Sequence, residues 1–244
     1  MTRTPLLFTV LATALCLTAC GKLESDKAFG ERVHAYLMAH PEVIEEAAQA
    51  QQEKEAVAED AKEQAKFEAA INQNRQYLEH DAADFVANPN GKITVTEFYD
   101  YNCGHCINMA PAVLSIIHDN PNVRFVFKEF PIFGDVSDRA AEGALIVKQR
   151  GGDYVGLYRD FMTAKGLKDD SMERILKAHG VTPADLNDPT VVAQTSQHLL
   201  AVKQLAITLG IDGTPAFVIG DTLIPGEGAD RLRAAIKAAG AKQS

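Results

Sequence analysis

Cys103 and Cys106 stand three residues apart in Cys103-Gly104-His105-Cys106, directly after the apolar run Ile93–Tyr99 and at the start of a helical pattern. Two thiols so placed can trade electrons. A strand that delivers Cys103 to a helix N-terminus sets its sulfur beside unpaired backbone N–H groups and the positive end of the helix dipole, and both favour a thiolate. The thiolate is the attacking species in disulfide exchange. Cys106, one turn further on, is then the shielded partner that resolves the mixed disulfide or is displaced. The expectation is an exposed, acidic Cys103 and a buried Cys106. His105 between them can add a donor or a positive charge.

Other uses of the pair fit less well. A disulfide between residues three apart closes a loop too short to constrain the unfolded chain, so it would contribute little stability. Structural zinc needs two further ligands, and His118, His179 and His198 show no ligand spacing. A c-type haem would need histidine after the second cysteine, where Ile107 stands. The alternative kept is a soft-metal module in which the same two thiolates hold copper(I).

The surrounding chain says where this chemistry happens. After Arg3, residues 5–19 carry no charge, an apolar run shorter than the roughly 20 residues of a membrane-spanning helix, as in a signal peptide. It ends in Leu17-Thr18-Ala19-Cys20, which resembles the lipobox of bacterial lipoproteins. Cleavage there leaves Cys20 as a lipidated N-terminus on the periplasmic side of a bacterial membrane. Cys16 departs with the signal, leaving Cys103 and Cys106 as the free thiols in an oxidising compartment. With 24 basic and 33 acidic residues among 244, and no dense Lys/Arg cluster, the chain is not suited to nucleic acid.

Residues 20–87 read as a helical segment rich in Ala, Glu, Gln and Lys. One helix is expected over 26–39, with Phe29, Val33, Tyr36 and Leu37 on a face. A second follows His40, with Pro41 at its first position and Glu42, Glu45 and Glu46 at the positive end of its dipole. Between Gln49 and Gln64 only alanines and Val57 are available to bury, whereas Ile44, Phe67, Ile71 and Leu78 keep helical spacing. Such a partial stripe needs a partner surface, either a second copy of the chain or the domain that follows.

The turn Asn88-Pro89-Asn90-Gly91 marks the expected start of that domain, 88–244. Its pattern is a strand Ile93–Tyr99, a helix over 106–118 interrupted at Pro111, and a strand over 123–130. About four short helices over 137–209 follow, then a hairpin about Gly220-Asp221 and a closing helix over 229–239. The order β-α-β, helical block, β-β-α describes a thioredoxin-like α/β fold with a helical insertion.

The run Glu97-Phe98-Tyr99-Asp100-Tyr101-Asn102-Cys103-Gly104-His105-Cys106 resembles the active-site strand and helix of the DsbA-type thiol-disulfide oxidoreductases. Phe127-Lys128-Glu129-Phe130-Pro131 resembles their second strand. Gly210-Ile211-Asp212-Gly213-Thr214-Pro215-Ala216-Phe217 resembles the loop whose cis-proline faces the cysteines, and the likeness spans about residues 90–240. It implies a cis Pro215, with Thr214 offering backbone groups to a substrate strand. It also implies that Glu97 accepts a proton near Cys106, tuned by Lys128 of the paired strand. No cofactor is implied beyond the redox-active disulfide. The implied partners are protein thiols and disulfides as substrates and a membrane redox partner that resets the couple. Gly104-His105 replaces the Pro-His of DsbA itself and is the dipeptide found in protein disulfide isomerases. The helical N-terminus resembles that of the ScsC proteins, relatives implicated in copper tolerance, some of which oligomerise through it. The sequence thus reads as an exported, lipid-anchored thiol-disulfide oxidoreductase, oxidase or isomerase, and a possible homo-oligomer.

Overall fold

The computed structural model describes residues 25–241; the signal segment and Cys20 lie outside them. The chain divides into two compact units, residues 1–60 and 61–244. In the first, α1 (Asp26–Ala39) starts where the Ser25 hydroxyl accepts from the Ala28 N–H. It buries none of its residues, leaving Phe29, Val33 and Tyr36 exposed. α2 (Glu42–Glu79) follows as one helix of 38 residues in which only Ile71 and Leu78 are buried. No helix among the described residues is long and apolar enough to cross a membrane.

The second unit is built on a five-stranded sheet in the order β1-β3-β2-β4-β5. Here β1 is Phe85–Ala87, β2 Ile93–Tyr99, β3 Val123–Glu129, β4 Ala216–Ile219 and β5 Thr222–Pro225. Strands β2 and β3 are parallel, joined through α3 (Gly104–Asp119), and the other pairs are antiparallel. The central strands are apolar on both faces, as strands covered on two sides must be. Val95, Tyr99, Phe125, Phe127 and Phe217 pack with α3, with α8 (Ala229–Ala241) and with the insertion helices α5 (Tyr154–Thr163) and α6 (Asp169–Ala178). Phe98, Ala216 and Val218 pack against the end of α2 and against α7 (Pro189–Thr208). The insertion also contains α4 (Asp135–Gln149). This is the thioredoxin-like α/β fold with a helical insertion.

Three elements differ from the sequence expectation. The domain boundary expected at residue 88 falls inside the second unit, because Phe67, Ile71 and Leu78 of α2 join the core with Val202, Leu205 and Leu209. Strand β1, three residues long, precedes the turn at Asn88 and was not foreseen. Helix α3 runs unbroken through Pro111. The proline forfeits one backbone hydrogen bond, and burial of Met109, Ala110, Val113 and Ile116 on either side holds the helix together.

Candidate active site

Cys103 is the N-cap of α3, with extended backbone (φ −75°, ψ 117°). The turn that presents it is fastened by the buried Asp100. One oxygen of Asp100 accepts from the Asn102 N–H (2.7 Å) and the Ser137 hydroxyl (2.8 Å), the other from the N–H groups of Ile132 (2.7 Å) and Phe133 (3.0 Å). Both cysteines are free thiols. The Cys103 thiol donates to the Thr214 carbonyl at 3.2 Å, and the Thr214-Pro215 peptide is cis, so the loop implied by the resemblance does lie over the cysteines.

That loop also corrects one expectation. Cys103 is only 2% exposed, because the Thr214 segment covers it; Cys106 is fully buried. The two thiols are electrostatically opposite. The Cys106 thiol beside it, the Thr214 side chain and the backbone N–H groups of Cys106 and His105 favour the Cys103 thiolate. Together they outweigh burial and bring its pKa down to about 5 from the usual 9. Cys106 is pushed far upward, first by burial, then by its neighbour Cys103 and by Glu97.

Glu97 is wholly buried, and neither of its carboxyl oxygens has a hydrogen-bond partner. Burial, reinforced by the charge of Glu129, holds its pKa well above the carboxylate range. Its charge acts on Cys106, but Lys128 does not bear on it. Register pairs Glu97 with Phe127 and Phe98 with Lys128. Because side chains alternate along a strand, Lys128 points to the opposite face of the sheet. There its ammonium bonds the Asp84 carboxylate and the Tyr77 carbonyl. His198 Nε2 lies 3.0 Å from the other Asp84 oxygen. Lys128 belongs to a buried structural cluster, not to the thiol site.

Two acids that the sequence reading passed over do belong to the site. Glu129 lies on the face of Phe125 and Phe127, two residues past Phe127, and that period was the available signal. Its Oε1 accepts from the hydroxyls of Tyr99 (2.6 Å), Tyr101 (2.8 Å) and Tyr154 (2.6 Å). Burial raises its pKa to about 8 despite those donors. Glu227, in the loop between β5 and α8, meets His105, whose ring is turned toward it. Nothing in the sequence links residues so far apart. Gly104 supplies no chemical group, and a Cβ there would meet no atom within 4 Å. Among the described residues no group of three or more His, Cys, Asp or Glu is placed to hold a metal ion.

Comparison with known proteins follows the same lines. The DSBA-like thioredoxin domain family matches residues 94–237, and the N-terminal domain of copper resistance protein ScsC matches residues 27–58. Proteus mirabilis ScsC in a transitional conformation is 30% identical over 88% of this chain and 97% of its own, with a TM-score of 0.64. A periplasmic thioredoxin-like protein from Salmonella enterica serovar Typhimurium is 30% identical over 69% and 96%, with a TM-score of 0.61. A thiol-disulfide exchange protein from Wolbachia pipientis is 28% identical over 73% and 97%, with a TM-score of 0.63. No curated protein matches the chain significantly.

Proposed function

Because the chain belongs to the DSBA-like thioredoxin domain family, we propose that Cys103 and Cys106 form a redox couple that exchanges disulfides with protein thiols. The observation that carries this reading is the asymmetry of the pair: an acidic Cys103 at the start of α3 against the Thr214-Pro215 loop, and a buried, strongly basic Cys106 behind it. In the oxidising direction a substrate thiolate enters beside the Thr214-Pro215 loop and attacks the Cys103 sulfur of the disulfide. The Cys103–Cys106 bond breaks, and Cys106 leaves with the electron pair. Glu97, held protonated, gives it a proton, and takes one back when the reaction runs in reverse. A second substrate thiolate attacks the substrate sulfur of the mixed disulfide and releases the Cys103 thiolate. The substrate loses two electrons and the couple gains them. Thr214 backbone groups pair with the substrate strand during these steps. The Cys103–Cys106 disulfide is the only redox group required, and a membrane partner resets it.

The protein works in the periplasm, as the Salmonella relative is described as doing, held to a membrane through lipid on Cys20. Cell fractionation should find the wild type with membranes and a Cys20→Ala variant elsewhere or unprocessed. An unmodified Cys20 at the mature N-terminus, seen by mass spectrometry, would refute the anchor.

Self-association through α1 separates isomerase from oxidase. Phe29, Val33 and Tyr36 recur at helical spacing and are exposed. Several Cys103 sites in one assembly can hold a misbridged substrate through repeated exchange, whereas a monomer suits the donation of one disulfide. Sedimentation should show the full chain as an oligomer and a Phe29→Glu/Tyr36→Glu variant as a monomer. The variant should lose rearrangement of a misbridged protein and keep oxidation of a dithiol peptide. A monomeric wild type would leave the oxidase. The copper reading has one support, the ScsC match at residues 27–58; copper(I) bound by the reduced thiols with no exchange activity would favour it.

A further inference from the structure

His105 stands between the cysteines, yet its ring is not left to them. Nδ1 lies 2.6 Å from Glu227 Oε1, and Asn108 Nδ2 donates to the same oxygen at 2.9 Å. The loop that carries Glu227 is itself fixed. The Gly226 N–H donates to the Pro215 carbonyl at 2.7 Å, the Gly228 N–H lies 3.4 Å from Met109 Sδ, and the Arg231 guanidinium donates to the Glu227 carbonyl at 2.6 Å. One loop is thus tied to the cis-proline segment, to the first turns of α3 and to α8.

We propose that Glu227 is the positioning residue of the active-site histidine, gripping Nδ1 so that the ring stays a cation at the mouth of the Cys103 site. The proposal rests on the exchange reading above. An unassisted imidazole is mostly neutral slightly above neutral pH and offers a thiolate no charge. A carboxylate on one ring nitrogen favours the charged form, and the bond and charge of Glu227 do raise the His105 pKa. His105 and Cys103 also act on each other by charge. The charged groups about the ring are Glu227 from the β5–α8 loop and Cys103 from the start of α3. Arg231 of α8 reaches Glu227 only through its backbone carbonyl. Glu227 therefore extends the stability of the Cys103 thiolate, and of the reduced couple, to higher pH than the histidine alone would support.

The test is Glu227→Gln in the full chain, since the amide keeps the shape and an acceptor but removes the charge. The His105 ring titration followed by NMR should shift to lower pH. The equilibrium with glutathione should move about two- to fivefold away from the reduced form at about pH 7.5. At about pH 5.5, where the ring is protonated in both proteins, no loss should occur. In a His105→Ala background the substitution should have no such pH-dependent effect. An unmoved His105 titration, an equal loss at both pH values, or the same loss without His105 would overturn the proposal. A wild type inert toward glutathione would count against the exchange reading alone, because the ring titration still decides the role of Glu227.

Discussion

Cys106→Ser is expected to turn the protein into a trap: Cys103 attacks a substrate disulfide, and the mixed disulfide persists because no thiol remains behind it. Cys103→Ser should instead lower exchange by about a thousandfold or more, since among the described residues no other thiol is held as a thiolate near neutral pH. The two substitutions differ because the site makes the thiols unequal. With a pKa of about 5, Cys103 is almost wholly ionised near neutral pH, while burial keeps Cys106 protonated. The sign of the pH dependence follows. A thiol whose pKa is lowered from 9 to about 5 stabilises the reduced form above about pH 5, increasingly toward 9, and loses that contribution as pH falls through 5. The reduced protein should therefore resist denaturant better than the oxidised protein near neutrality and lose this advantage in acid. Alkylation at about pH 6 should mark Cys103 alone; faster labelling of Cys106 would reverse the assignment.

Lys128→Ala is expected to destabilise the fold by about 3–5 kcal/mol while leaving the thiol chemistry alone. Lys128 and Asp84 are each about 1% exposed, and removal of the ammonium leaves the Asp84 carboxylate without its cation and the Tyr77 carbonyl without its donor. The loss should appear as a lower denaturant midpoint with an unchanged slope. Asp84→Asn combined with Lys128→Met should recover part of it, because that pair leaves no buried charge unmatched. The potential of the Cys103–Cys106 couple should stay where it is, since the ion pair lies on the other face of the sheet. A stable Lys128→Ala protein with a displaced potential would restore the tuning role that the resemblance suggests.

The fate of Lys128 shows what a sequence can and cannot convey. Strands β2 and β3, the helix after Cys103 and the hairpin about Gly220 are local patterns, and each can be read from a window of a few residues. Which residue of β3 stands beside Glu97 is a question of register, and one step of register moves a side chain to the other face. Glu129 illustrates the same limit from the other side: its period was visible, but the three hydroxyls that meet it come from a strand, a loop and an insertion helix. The reach of α2 into the core was hidden because its few large residues, Phe67, Ile71 and Leu78, look alike whether they face a second copy or α7. Covering of Cys103 likewise depends on a loop more than a hundred residues away.

The tyrosine cage about Glu129 has a consequence for how such a domain could have been assembled. Two of its hydroxyls, from Tyr99 and Tyr101, belong to the thioredoxin-like part, but the third, from Tyr154, is brought by the inserted helices. The insertion is therefore not a detachable ornament on an older redox core. A precursor lacking α5, or a chimera given the insertion of a distant relative, would carry an acid at the end of β3 with a third of its donors missing. Lineages that trade this insertion would have to trade Glu129 with it, and the acid and the tyrosine should be inherited or lost together.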